Sequence, residues 1–324
     1  MFYALLKRLG DMVFAMFGIS VMVFLIFFAM PGSDPSSRIA GRAASPEVVK
    51  AVRESFGLDQ PLPVQYFRMM KKLFVTQDLT SFVNRGWKVI PAIMDAIPVT
   101  ISLVAGAAVV WIVGALVVGL AAAATKGRWL DRTLMVLSLI GISLPAFWLG
   151  AVVNLFTQSR LHDTIFFSWV PPLGYKPLLT DPTGWFLTLL LPWITLATGY
   201  LGIYGRVLRA SLVEALQEDY VRTARAKGLS EYVILTRHAL RTSLISVVSL
   251  FGLDFGQLVG GVAVLTEVVF GLPGLGKLTF DALLNLDLPV IMAGVLFAAF
   301  FIVLANAVVD MLYILIDPRV RADG

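Results

Sequence analysis

The sequence predicts an all-α polytopic membrane protein with six transmembrane helices. Hydrophobic residues make up 58% of the 324 positions and charged residues only 15%, against about a quarter in ordinary soluble domains. Six separate apolar segments also approach or exceed the roughly 20 residues that a helix needs to cross a bilayer. A soluble core could not bury so much apolar surface, so lipid is the expected solvent.

The first span is predicted at 12–30, within an N-terminal transmembrane anchor covering 1–30. It follows Lys7 and Arg8, as the apolar part of a secretion signal would. Its apolar run is longer than the 7–15 residues typical of a signal, and no small-residue cleavage site follows it. We therefore expect an uncleaved anchor.

An external segment is predicted at 31–96, with short helices in it. Ser45, Pro46 and Gly57 have the types and spacing of a cap, a first helical residue and a C-terminal stop. The stretch 62–75 is amphipathic. It is expected either to lie on the membrane surface or to pack as a small cap on the outer face.

A five-helix permease core is predicted at 97–316, followed by a cytoplasmic tail at 317–324. Prolines inside its spans are tolerable because neighbouring helices can satisfy the freed backbone groups. The third span carries Pro145 near its middle. The five spans are expected at about 97–124, 134–156, 185–204, 244–270 and 290–316.

The distribution of lysine and arginine predicts the orientation. If the N-terminus is cytoplasmic, the inside segments carry fourteen of these residues and the two short outside loops carry three. Short loops rich in positive charge stay inside. Both termini and the segment 206–243 are therefore expected in the cytoplasm. The net charge of +5 then reflects orientation, and no nucleic-acid partner is expected.

The motif search favours a protein that is not an enzyme. There is no cysteine, which excludes thiolate metal sites and disulfides. The HExxH, GxSxG and phosphate-loop patterns are missing, and the Gly-rich stretch 271–277 has the wrong spacing for a phosphate loop. That stretch is expected to be a tight outer turn between spans five and six. No metal or cofactor is expected.

Polar side chains inside spans are the remaining candidates, because charge within a membrane is costly and usually functional. Asp254 is the deepest, and it is expected either to line a water-filled pathway or to hydrogen-bond to a neighbouring helix. Gln257 and Glu267 are further pathway candidates. For Glu267, solvation at the interface or pairing at a helix end is the alternative.

The polar segment between spans four and five predicts a docking surface. A helix is expected at about 211–227, with Gly228 as its stop. Ser230 then caps a second helix. Small residues near this corner would let another protein's backbone approach, and flanking charges would fix the register of that contact. A solvated loop is the alternative.

The stretch DYVRTARAKGL, beginning at Asp219, resembles the signature loop of permease subunits of ABC importers, in the dipeptide/oligopeptide branch. FGLDQPLPVQYF, ISLPAFWLG, EVVFGLPGLGKL and DMLYILIDPRVR agree with the same family and are spread over nearly the whole chain. The chain departs from the family at Ser246, where a proline is usual, and at Asp254, where many relatives carry glutamine.

The resemblance implies a permease that forms half of a peptide pathway and is coupled to a partner ATPase through the loop 219–241. Its expected partners are a second permease, two cytoplasmic ATPases that bind the ATP, an external substrate-binding protein, the lipid bilayer and a peptide. A stand-alone secondary transporter or channel that uses Asp254 for ion coupling stays the alternative, and a membrane enzyme is a more distant one. The resemblance places ATPase docking at the following residues: Asp219, Tyr220, Arg222, Thr223, Ala224, Arg225, Ala226, Lys227, Gly228, Leu229, Ser230, Glu231 and Tyr232.

Overall fold

The computed structural model describes residues 2–29, 36, 45–84, 86–159 and 161–316. Within these ranges the regular structure is helical, apart from one isolated bridge between Thr80 and Lys88. Five helices are long and apolar enough to cross a membrane, or six if one bent pair counts as a single span. The all-α membrane class is thereby confirmed. The predicted tail at 317–324 and the beginning of the external segment lie outside the described residues.

The helices are numbered here in chain order; short π-helical turns extend two of them and lie within a third. The bounds are α1 Phe2–Phe24 (extended by Leu25–Ala29), α2 Pro46–Phe56, α3 Leu62–Met70 (extended by Lys71–Val75), α4 Val89–Ala124, α5 Trp129–Ser143, α6 Ala146–Thr157, α7 Pro182–Ala215, α8 Asp219–Ala226, α9 Glu231–Val262 (with π-helical turns within it), α10 Val264–Val269, α11 Leu275–Asn285 and α12 Leu288–Ile316.

The third predicted span is not one helix. α5 and α6 are bent by 94° at the break between them. Leu144 has an extended backbone, and Pro145 precedes the new helix. A proline disfavours the helical conformation of the residue before it, which explains the break. The prediction of a single span at 134–156 is therefore replaced by a bent pair.

The second and fifth spans begin earlier than predicted. α4 begins at Val89 rather than at 97, and Val89 and Ile93 are buried. α9 begins at Glu231 rather than at 244 and has a kink at Gly261, whose φ is 137°. For α9, polar residues at the start of the helix hide its true beginning from a hydropathy argument, whereas the first turns of α4 are apolar apart from Asp95 and simply extend the predicted span.

One compact unit comprises the described residues within 2–100, 259–264 and 273–307. Its apolar core includes Phe24 of α1, Tyr66 and Met69 of α3, and Ile93 of α4. The Tyr66 hydroxyl shares a 2.7 Å hydrogen bond with the hydroxyl of Ser20. Tyr66 and Met69 are thus packed inside the protein, whereas Phe67 is exposed, and both alternatives for that amphipathic stretch stay predictions.

The same unit contains one further departure from expectation. Residues after the Gly-rich stretch form the full helix α11 rather than a tight turn. Asp287, just beyond α11, accepts hydrogen bonds from the Ser81 hydroxyl and from the backbone N–H of Phe82, the latter at 3.0 Å. The helix α2 has the expected cap, with the Val48 N–H donating to Ser45 and Gly57 left-handed at φ 68°.

The second unit comprises the described residues within 101–258, 265–272 and 308–316. Trp193 of α7 donates a hydrogen bond from its indole nitrogen to the Ser102 carbonyl at 3.0 Å. The helices α5 and α7 run antiparallel and approach closely at Gly202, where a Cβ would lie 2.5 Å from the Ser138 carbonyl oxygen. Glycine is required there because any side chain would push the helices apart.

Candidate functional site

The Gly228 corner, defined here as residues 219–232, has a backbone that reverses direction at a left-handed glycine. The helix α8 ends at Ala226, and Gly228 has φ 79°. The Gly228 N–H donates to the Arg225 carbonyl at 2.9 Å, and the Leu229 N–H donates to the Ala224 carbonyl at 3.3 Å. These bonds satisfy the last carbonyls of α8. The predicted stop at Gly228 is confirmed as a feature of the fold.

The helix before the corner is not the continuous one that was predicted for 211–227. The helix α7 ends at Ala215, a short turn follows, and α8 begins at Asp219. The break turns Val221 and Ala224 inward, where they are buried against Ile234 of α9. Val221 is fully buried and is not among the predicted residues of the corner. The apolar positions 221, 224 and 234 were the available signal.

An ion pair connects the two sides of the Gly228 corner. The Arg225 Nε lies 2.6 Å from one carboxylate oxygen of Glu231, and its Nη2 lies 3.0 Å from the other. This hydrogen bonding raises the pKa of the Arg225 guanidinium above its ordinary value. Within α8 itself, Asp219 pairs with Arg222 at 3.3 Å. The bidentate geometry fixes orientation more than it adds stability.

The predicted contact residues of the corner are nearly all on the surface. Tyr232 is 75% exposed, and Tyr220 and Leu229 are also exposed. Ala224 is the exception, because it packs in the interior beside Val221. The corner therefore presents aromatic and apolar side chains among charged ones, a composition typical of a contact surface. Its exposed members are Asp219, Tyr220, Arg222, Thr223, Arg225, Ala226, Lys227, Gly228, Leu229, Ser230, Glu231 and Tyr232.

The carboxylate of Asp254 lies in α9 and accepts a hydrogen bond from the Tyr204 hydroxyl of α7 at 2.7 Å. Tyr204 is fully buried, and its ring lies beside that of Trp111, with 6.0 Å between the ring centroids. Asp254 is partly exposed and has no ion pair with any described lysine, arginine or histidine. The helix-to-helix hydrogen bond that the sequence left open is thus present.

The other two pathway candidates differ in accessibility. Gln257 is exposed, one turn beyond Asp254 on α9. Glu267 is completely buried in the first turn of α10, where the helix dipole favours a negative charge. Within the described ranges, no group of three or more His, Cys, Asp or Glu residues could hold a metal ion.

The chain matches the family model of the binding-protein-dependent transport system inner membrane component over residues 115–322. The model of the N-terminal part of these membrane components matches residues 1–104. The chain belongs to this family. Members of this family are permeases, which are non-catalytic, multi-pass components of the inner membrane. They work together with other ABC transporter components.

Relatives of the permease match it over nearly their whole lengths. A protein of Brucella abortus named as a peptide transport system permease is 40% identical, with 98% of this chain and 99% of the relative covered. One of Escherichia coli K12 named as a D,D-dipeptide transport system permease is 36% identical, with 100% and 99% covered. The glutathione transport system permease of Salmonella paratyphi A is 37% identical, with 98% of each covered.

A solved structure shares the fold of the permease. A chain from the inward-facing conformations of the MetNI methionine ABC transporter matches with a TM-score of 0.50 and 17% identity. The match covers 68% of this chain and 96% of that chain. At this identity the likeness shows the fold alone, and it agrees with the helical membrane architecture described above.

Proposed function

We propose that this ABC importer permease carries peptides and forms half of the pathway, together with a second permease. The support is that relatives at 36–40% identity over nearly the full length are named for peptide, D,D-dipeptide and glutathione transport. Two cytoplasmic ATPases would bind the ATP, and an external binding protein would deliver the solute. The fourteen-to-three distribution of lysine and arginine supports cytoplasmic termini and a cytoplasmic Gly228 corner.

The Gly228 corner is the proposed contact with an ATPase, and one observation carries this proposal. No loop separates the corner from the membrane span, because Glu231 of the corner is the first residue of the 32-residue helix α9. A helix of this length extends about 48 Å at 1.5 Å per residue. A push on the corner would therefore move the span that carries Asp254, as rigid-body alternating access requires.

Asp254 and Gln257 are the proposed lining of the pathway, with Glu267 as a buried member near it. The partial exposure of Asp254 and the exposure of Gln257 support contact with water or solute. A carboxylate in a span is costly unless it serves a function. Tyr204 orients it through one oxygen, which leaves the other for a solute group.

Reconstitution separates this proposal from a stand-alone secondary transporter. The complete transporter in proteoliposomes should take up peptide only with ATP and the binding protein. The permease pair without ATPases should give no uptake, with or without an ion gradient. Gradient-driven uptake by the permease alone would overturn the importer proposal and favour ion coupling through Asp254.

A further inference from the structure

A groove between α5 and α7 combines an unpaired cation with an apolar wall. It encloses about 410 Å³ and is lined by Met135, Val136, Leu139, Arg206, Arg209 and Ala210. Arg206 is exposed and makes no hydrogen bond or ion pair with any residue that the structure describes. Val136 and Leu139 are 56% and 52% exposed on the facing helix. None of these residues belongs to the Gly228 corner or to the proposed pathway.

The groove is built into the helix pair and is not a loose surface feature. At one end α5 and α7 touch at Ser138 and Gly202. At the other end Asp131 and Arg209 form a bidentate ion pair, with Oδ1–Nε and Oδ2–Nη2 distances of 2.5 and 2.6 Å. Asp131 is 3% exposed and also accepts from the Gly127 N–H at 2.9 Å. Two fixed contacts therefore hold the groove open between them.

The position of Arg206 matches the boundary between headgroups and acyl chains. The contacts at both ends of the groove fix the antiparallel register and place Arg206 level with the second turn of α5. That is about 8 Å along the helix from the first residue of α5 at 1.5 Å per residue, which corresponds to the depth of 5–10 Å typical of interfacial groups if α5 begins at the membrane surface. Trp129 at the start of α5 is 74% exposed, and exposed tryptophan marks membrane interfaces.

We propose that this groove binds an anionic phospholipid, with the Arg206 guanidinium on the headgroup phosphate and an acyl chain against Val136 and Leu139. Charge complementarity selects the anion, since Asp131 already neutralises Arg209 and leaves the charge of Arg206 unbalanced. Basic pockets between transmembrane helices recognise anionic headgroups in this way. The apolar wall distinguishes a lipid from free phosphate, which would gain nothing from Leu139.

Native mass spectrometry of the assembled transporter tests the lipid site. The complex is taken from nanodiscs of equimolar phosphatidylcholine and phosphatidylglycerol, and the lipids retained on the permease are counted. The unaltered permease should retain phosphatidylglycerol preferentially. Arg206→Gln should weaken that retention about fivefold to tenfold, and Leu139→Asn should weaken it as well.

Arg132→Gln is the matched control, because Arg132 is an exposed arginine on the same helix α5 that does not line the groove. It should leave the preference for phosphatidylglycerol unchanged. Equal losses for Arg132→Gln and Arg206→Gln would show general surface attraction and overturn the site. Equal retention of both lipids by the unaltered complex would also overturn it.

Two further measurements distinguish a lipid in the groove from other occupants. Inorganic phosphate should not displace the retained lipid. If phosphate displaces it equally well from the unaltered permease and from Leu139→Asn, the groove is a phosphate site instead. The chain has no cysteine, so Val136→Cys provides a single attachment point for a bifunctional crosslinker. A crosslink from this position to the second permease would show that a protein covers the groove and would refute the lipid proposal.

Discussion

Replacing Gly228 with valine tests whether the corner transmits energy from an ATPase. At φ 79° Gly228 occupies the left-handed region, which costs an L-residue about 1–2 kcal/mol and is rarer still for a β-branched one. A Cβ at this position would meet no atom within 4 Å. The cost is therefore conformational and not a clash. It shifts the equilibrium constant between the native corner and its alternative conformations by about 5- to 30-fold.

The assay is ATP-driven peptide uptake by the reconstituted transporter, measured beside the amount of ATPase that copurifies with the permease. Gly228→Val should insert normally and reduce coupled uptake about tenfold, within the range set by the strain. Gly228→Asn should retain most of the uptake, because asparagine tolerates the left-handed region better than other residues.

Gly127 provides a control that separates the effect of backbone strain from the effect of position in the Gly228 corner. It also has φ 79°, and a Cβ there would likewise meet nothing within 4 Å. Gly127→Val therefore imposes the same local cost at a turn outside the Gly228 corner. Normal uptake by Gly228→Val, or an equal loss in both valine variants, would refute the coupling argument.

Three further substitutions test the remaining contacts. Arg225→Glu should reduce coupled uptake severalfold. Adding Glu231→Arg should restore part of the uptake, because it rebuilds the ion pair with the charges exchanged. No recovery in the double variant would count against an orienting role for the pair. Val221→Ala should destabilise the corner by about 1.5–2 kcal/mol, because a buried methylene contributes about 0.8 kcal/mol. Less ATPase should then copurify with the detergent-solubilised permease, and an unchanged amount would contradict this prediction. Asp254→Asn should leave assembly intact, because its amide oxygen can still accept from Tyr204, while changing the uptake rates of cationic relative to anionic peptides. Identical rates for both peptide classes would remove Asp254 from the pathway.

The overall class could be predicted because hydropathy acts over whole spans. A segment of about 20 apolar residues has few alternatives to crossing a membrane, so the helical membrane class emerged from composition and length. The ends of helices could also be predicted at Ser45, Gly57 and Gly228, because the residue type there limits the backbone conformation.

Features that depend on tertiary packing could not be predicted in this way. The 94° bend before Pro145 requires two separate helices, whereas a proline inside a span is often accommodated in one. The break after Ala215 follows from the burial of Val221 against Ile234, and the pairing of Arg225 with Glu231 follows from the corner that this break creates. The break after Ala215 and the Arg225–Glu231 pair depend on contacts between residues that helical periodicity alone keeps apart.

The continuity of α9 gives the two proposed functional regions a common mechanical element. Ser246, at a position where the resemblance leads one to expect proline, lies within this helix, and its backbone N–H can take part in the helical ladder that a proline would interrupt. The kink comes later, at Gly261, beyond both Asp254 and Gln257. Motion that enters at Glu231 therefore reaches the carboxylate before the helix first bends, while Tyr204 of α7 holds that carboxylate from the other side. A displacement of α9 against α7 would consequently strain the hydrogen bond between Tyr204 and Asp254, which makes that bond a natural reporter of the transport cycle.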